Sequence, residues 1–251
     1  MKESMGEAYS NLAAVYDVLM QDVDYAAWAE YINNMLCQNA RPVKTVVDCA
    51  CGTGELALRL CEAGYSVTGI DVSPEMLYIA QKKAQAQGKR FPLVCQDMRK
   101  LTLHKPVDAI CCACDGVNYL TSRADVQMFF KAAYEALEPG GLLLFDVSSR
   151  YKLETVLADN IFGEVLETCA YIWRNSCNKQ LHLVEMELTV FTRCGALYER
   201  FDEYHVQRAH SESELEQALR ACGFTEISAF QAFTFGPAGA LSERIQFQAK
   251  R

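Results

Sequence analysis

What this sequence lacks narrows it quickly. Against 32 acidic residues it sets only 24 lysines and arginines, a formal net charge of −8 with histidine neutral. The field of such a chain repels phosphate and offers nucleic acid no general footprint. No apolar run approaches the roughly 18 residues that a spanning helix needs, and the opening MKESMGEAYS has no apolar core of the signal-peptide kind. A cytoplasmic protein is expected, with no membrane partner and nucleic acid disfavoured. With 6 prolines and 14 glycines in 251 residues, of which 51% are hydrophobic, disorder is excluded as the main state. The chain can bury a full core.

Cysteine is the exception to this economy, at 12 residues. In a chain this large and without targeting signals, reduced thiols packed as small hydrophobes are the better expectation than disulfides. Cys111, Cys112 and Cys114 include a C-x-x-C, but the run VDAICCAC reads as a buried strand. Its side chains alternate between two faces and cannot converge on one ion, so no metal site is expected. The spacing C-x-x-x-C-x-x-C is missing as well, which excludes radical iron–sulfur chemistry.

From residue 44 the pattern alternates strand and helix: KTVVD, ELALRLCEAG, SVTGID, PEMLYIAQKKAQAQG, FPLVCQ, VDAICCAC, DVQMFFKAAYEALEPGG and LLLFDV. Such alternation predicts an α/β, doubly wound, mostly parallel sheet with helices on both faces. Ser73 and Pro74 make a start signal for the second of these helices, and Gly140 and Gly141 are read as ending the fourth. Residues 163–210 change period, with three long alternating segments clearest in Val184, Met186, Leu188 and Val190, as a half-solvated antiparallel sheet requires. Ser211 and Glu214 read as a capping box for SELEQALRACGF, and two closing strands are placed at roughly 224–234 and 243–249. One domain over 1–251 is expected: a helical cover (1–40), a core (41–150), an antiparallel insertion (151–210) and a closing helix with strands (211–251).

Directly after the first strand comes Asp48-Cys49-Ala50-Cys51-Gly52-Thr53-Gly54-Glu55. Glycines in a strand-to-helix turn let a ligand approach the backbone beside free amides. Gly52, Gly54 and Ala57 also fit G-x-G-x-x-A, and Asp71 stands where a ribose-binding acid belongs. Taken alone the turn leaves two ligands open: a dinucleotide such as NAD, or one carrying an ammonium and a sulfonium, which would suit Asp48 better.

D-x-x-x-G-x-G after a strand resembles the first motif of the class I S-adenosylmethionine-dependent methyltransferases, and four further motifs follow in family order. VTGIDVSPEML is similar to the second, VCQDM to the third, CCACDGVNYL to the fourth and LEPGGLLLFDV to the fifth. The resemblance covers about residues 44–148 with the closing elements, and implies a seven-stranded Rossmann-like sheet whose last strand is antiparallel. It implies S-adenosylmethionine as cofactor, held by Asp48, Ala50, Cys51, Gly52, Thr53 and Gly54 at the turn. Asp71 would take both ribose hydroxyls, and Val72 and Met76 would lie beside the adenine. Gln96, Asp97 and Met98 would complete the adenine pocket, Asp97 accepting from the amino group. Cys114 and Asp115 would sit by the transferred methyl. YSNLAAVYDVLMQDVDYAAWAEYI and ERFDEYHVQRAHSESELEQALRACGF are similar to small stand-alone bacterial members, in which an N-terminal helical cover, here with Tyr9 and Tyr16, lies over the cofactor. Ala50 departs from the glycine common at that place.

The acceptor is less legible, because displacement at a sulfonium needs in-line positioning more than a dedicated base. Tyr16, Asn118, Tyr119 and His205 are the candidate catalytic residues, with Asp115, Arg200 and Arg208 as further pocket groups. The fourth motif carries no N/D-P-P-Y/F and the chain no Pro-Cys pair, which disfavours base-amino, glutamine and pyrimidine-C5 methylation. The reading is methyl transfer to an O, N or C nucleophile of a small molecule by a monomer or homodimer. Its rivals are a SAM-binding regulator without turnover, an NAD-dependent reductase and an RNA methyltransferase.

Overall fold

The computed structural model describes residues 12–251. A 3-10 turn (Leu12–Ala14), α1 (Tyr16–Leu19) and α2 (Tyr25–Cys37) precede the core. Then come β1 (Thr45–Cys49), α3 (Glu55–Glu62), β2 (Ser66–Asp71), α4 (Pro74–Ala86), β3 (Leu93–Cys95), β4 (Val107–Cys112), α5 (Arg123–Ala136) and β5 (Leu137–Ser148). After β6 (Ile161–Val165), β7 (Cys169–Asn178), β8 (Leu183–Cys194) and β9 (Leu197–Arg208), the chain closes with α6 (Glu212–Ala221), β10 (Thr225–Gln231) and β11 (Arg244–Lys250). The larger sheet has seven strands in the order β10-β11-β5-β4-β1-β2-β3. Only β11 runs against its neighbours, pairing antiparallel with both β5 and β10. This is the mostly parallel α/β sheet the alternation predicts, with the seven strands and antiparallel last strand that the resemblance implies.

Its central strands are apolar on both faces because helices cover both, and β4 shows the consequence. Cys111 packs with Trp28, Met35, Leu56 and Leu144 on one side. Cys112 packs with Phe130, Phe145 and Phe247 on the other. The expected alternation of faces is seen in these two clusters, and burial raises both thiols far above the ordinary range. Helix starts follow their caps: Ser73, Ser122 and Ser211 accept from Met76, Asp125 and Glu214 amides.

Three features differ from the sequence expectation. α5 stops at Ala136, and Pro139-Gly140-Gly141 lies within β5. There the register against β4 jumps from Leu137 to Leu142, because Pro139 has no amide to pair and Gly140 takes a left-handed φ of +80°. The insertion has four strands, in the order β6-β7-β8-β9, where three were expected. The extra one, β6, is exposed at every residue and so carries no alternating signal. The capping box is half formed: the Ser211 hydroxyl caps the helix, while the Glu214 carboxylate turns to His210 (3.1 Å) and Arg208 (3.6 Å). Those partners, the His210 hydrogen bond above all, hold Glu214 at about 2.

Candidate functional site

The carboxyl ends of the parallel strands β1, β2 and β4 meet in a crevice, the usual place for a ligand in an open α/β sheet. At the end of β1 the turn has left-handed backbone at Ala50 (φ 57°), Gly52 (φ 52°) and Gly54 (φ 79°). Asp71, at the end of β2, braces this turn: its Oδ2 accepts from the Gly52 amide (2.8 Å) and its Oδ1 from the Ser73 amide (2.9 Å). Asp48 lies beneath, 2% exposed, and among the described residues its Oδ2 has no hydrogen-bond partner. Burial, and then the neighbouring Asp71, push its carboxyl up to about 7. A buried acid so placed is costly unless a cation joins it.

Above the turn the crevice opens into a cavity of about 1030 Å³, bounded on one side by the strand ends and on the other by Leu183, Glu185, Tyr204, His205 and Val206 of β8 and β9. The short helix α1 closes a third side, where Asp17 accepts from the Thr53 hydroxyl (2.6 Å) and pairs with Lys83 (2.8 Å). Its neighbour Tyr16 faces the cavity, and burial raises its phenol well above the ordinary value. His205, 7% exposed, is pushed by burial down to about 4, so the imidazole is neutral at pH 7. It meets the Tyr119 ring edge-on at 6.0 Å.

Residues 46–141 match the family model described as "Methyltransferase domain". The chain is 38% identical over 97% of its length to YqeM of Bacillus subtilis (strain 168), a protein named as a methyltransferase without a stated acceptor, and covers 97% of it. The chain belongs to the class I S-adenosylmethionine-dependent methyltransferases. A solved methyltransferase of that dependence from Clostridium acetobutylicum has 34% identity and a TM-score of 0.88, with 96% of this chain and 98% of that one covered. The SAM-bound amino pentose methyltransferase CalS10 from Micromonospora echinaspora, at 21% identity and TM-score 0.75, shares the fold over 100% of each chain.

S-adenosylmethionine is the methyltransferase's cofactor, and Asp48 fits it: an orphaned, buried carboxylate oxygen matches a ligand that brings positive charge. Of the residues singled out from the sequence, Tyr16, Asp48, Ala50, Cys51, Gly52, Thr53, Asp71 and Val72 line the cavity. So do Met76, Gln96, Asp97, Met98, Cys114, Tyr119 and His205. Tyr9 falls outside the described residues.

Others stand elsewhere in this methyltransferase. Gly54 is the left-handed N-cap of α3, where a Cβ would come to 3.0 Å from Ala80, and it does not line the cavity. Asn118 is fully buried and spends its amide on the Ser148 carbonyl (3.0 Å), the Arg208 carbonyl (2.9 Å) and the Ser148 amide (2.9 Å), which makes it a strut and not a catalyst. Asp115 turns away to Arg244 (3.0 Å) and Gln207 (2.8 Å). Arg200 pairs with Asp202 on the exposed face, and Arg208 with Glu214. Asp97 borders the cavity, but both its oxygens are clamped by the Arg99 side chain, which also reaches Asp125 at 2.8 Å. Burial raises the Asp97 carboxyl, yet those hydrogen bonds outweigh it and hold the group below the ordinary value.

The sequence reading missed Tyr25, Glu55, Arg99 and Asp125, and on the roof Glu185 and Tyr204. Arg99 could have been found from its spacing two residues after Asp97. Glu185 and Tyr204 carried no signal: both are exposed, and Glu185 alternates with the apolar Val184 and Met186 as a solvent-side residue does.

Proposed function

We propose that this methyltransferase carries a methyl group from S-adenosylmethionine to an O, N or C nucleophile of a small molecule, releasing S-adenosylhomocysteine. The observation that supports it best is the single cavity in which the orphaned Asp48 and the neutral His205 both take part. When bound, S-adenosylmethionine supplies a methyl group made electrophilic by its sulfonium. Asp48 offers its carboxylate to the ammonium of the methionyl part. Asp71 still has a lone pair on each oxygen for ribose hydroxyls, and Val72, Met76 and Met98 give apolar surface for adenine. Asp97 reaches an adenine amino group only if one of its Arg99 contacts yields. Tyr16 and Tyr119 wall the acceptor side and exclude water, and His205, kept unprotonated by burial, accepts a proton where the nucleophile must lose one.

The four-stranded insertion belongs, in this reading, to the same working unit as the core, roofing its site. Two hydrogen bonds support that: Gln207 of β9 to Asp115 (2.8 Å), and the Leu12 amide to the buried Glu203 of β9 (3.3 Å). The test is thermal. S-adenosylhomocysteine at about 100 times its dissociation constant is expected to add about 2.7 kcal/mol to stability, and NAD to add nothing comparable. Hydrogen exchange is expected to slow around residues 48–54, 71–72 and 96–98. A larger shift with NAD than with S-adenosylhomocysteine would overturn the proposal.

A further inference from the structure

Helix α1 closes one side of the cavity although it is too short to hold its shape alone. It has four residues, far below the roughly 12–15 that let a helix persist by itself. Val15 before it lends no side-chain cap, and none of the four is fully buried. Charge supplies a hold, and it comes from α4. Met76, Ala80 and Ala84 lie on the buried stripe of that helix, and Lys83 falls on the same stripe with its side chain 19% exposed. An ammonium on the inward face of a helix is costly without partners. Lys83 has two, Asp17 of α1 and Glu55 of α3, each 2.8 Å from its Nζ. The second oxygen of Asp17 accepts from the Thr53 hydroxyl at 2.6 Å. These are short, charge-assisted bonds, unlike the 3.9 Å pairing of Arg59 with the same Glu55. Thr53 and Glu55 line the cavity together with Tyr16, whereas Lys83 does not.

Resting on the reading of this cavity as the S-adenosylmethionine site, we infer that Lys83 is a positioning residue for the cofactor. It latches Asp17 to Glu55 across the turn, keeps α1 and Tyr16 closed on the bound ligand, and sets by its release how fast cofactor and product leave. The latch is suited to that use. The Asp17 side chain is 42% exposed, so water can take over its carboxylate when the pair parts, and no fully buried side chain of α1 has to be drawn out. The turn itself, braced by Asp71 through the Gly52 amide, need not move. Salt acts on such a pair because it is partly open to solvent.

The experiment follows the release of radiolabelled S-adenosylhomocysteine from the full chain, chased with an excess of the unlabelled compound. Lys83→Met and Asp17→Asn are each expected to speed release about tenfold. The double variant is expected to be no faster than the faster single one, since both break one latch, and Lys83→Arg to restore most of the wild-type rate. Raising NaCl from about 0.05 to about 0.5 M is expected to speed release from the wild type more than from Lys83→Met, a difference that a merely structural lysine would not produce. Hydrogen exchange in the ligand-free chain is expected to quicken at residues 16–19 in both single variants. Asp17→Asn, at an exposed position, keeps the test alive if Lys83→Met does not fold. An unchanged release rate in Asp17→Asn, effects that multiply in the double variant, or the same salt response in the wild type and Lys83→Met would overturn the inference. Failure of the wild type to bind S-adenosylhomocysteine at all would strike the methyltransferase reading instead.

Discussion

The two walls of the cavity are built on opposite terms. The lower wall, from β1, β2 and β4, is dictated by backbone: left-handed φ at Ala50 and Gly52 and the Gly52 and Ser73 amides on Asp71 leave little room for other residues. The upper wall, from β8 and β9, is dictated by side chains standing on an antiparallel ladder whose backbone would accept almost anything. The lower wall can thus serve one ligand, while the upper can change acceptor without changing fold. Even their charges respond oppositely: burial and Asp71 drive Asp48 up to about 7, and burial drives His205 down to about 4.

The largest expected effect comes from the joint between the walls. Arg244 pairs with the fully buried Asp146 and with Asp115, and lies over the Trp28 ring at 5.6 Å. Asp115 in turn holds Gln207 of the roof. Arg244→Met leaves Asp146 buried and uncompensated and is expected to cost about 3–5 kcal/mol in urea unfolding. If the loss is under about 1 kcal/mol, the two walls are not joined there.

Acid titration sharpens the comparison next. A carboxyl raised in the folded state binds more protons there than in the unfolded chain, so Asp48 makes stability fall as pH rises from about 4 to about 7. An imidazole lowered in the folded state binds fewer, so His205 makes stability rise between about pH 4 and 6.5. Each slope amounts to roughly 3–4 kcal/mol across its window at 1.36 kcal/mol per pH unit, and in the wild type the two oppose each other. Asp48→Asn is expected to uncover a profile that climbs with pH, and His205→Gln one that descends. Identical profiles for both variants would show that neither group titrates as its burial requires.

The smallest effect tests the backbone account of the lower wall. Ala50 holds φ at 57°, a region that costs an L-residue about 1–2 kcal/mol. Ala50→Gly is expected to stabilise the protein by roughly 1 kcal/mol, less the entropy glycine loses on folding. Calorimetric melting resolves a gain of that size. A loss would mean that the Ala50 methyl, which comes 3.2 Å from where a Cβ on Gly116 would stand, is a needed contact.

Legibility from sequence followed the same division. The turn from Asp48 to Gly54 and the acids ending β2 and following β3 could be read because few residue types satisfy their backbone and burial demands. Even there Asp115 misled, since its partners Arg244 and Gln207 lie 129 and 92 residues away and leave no local pattern. Asn118 misled for the same reason: a polar side chain after the fourth strand looks the same in sequence whether it faces a ligand or braces Ser148 and Arg208. On the roof, period-two alternation located the strands but gave Glu185, set between the apolar Val184 and Met186, no mark of a site. The cavity reaches past the edge strand β9 to both of its faces, touching Tyr204 and Val206 as well as His205.

The bond from the Leu12 amide to Glu203 spans 191 residues, and that from the Tyr31 hydroxyl to the Thr234 carbonyl spans 203. On the ribosome, then, the segment from Leu12 to Tyr31 emerges long before the partners that hold it. The cradle strands can assemble as they emerge, but their cover has to wait until β9 and the stretch after β10 exist. Through most of synthesis the aromatic side chains of that leading segment are without their final surface, and loop closure over such distances is slow. The segment that holds Leu12 and Tyr31 is thus in need of protection while β9 and the stretch after β10 are still being made.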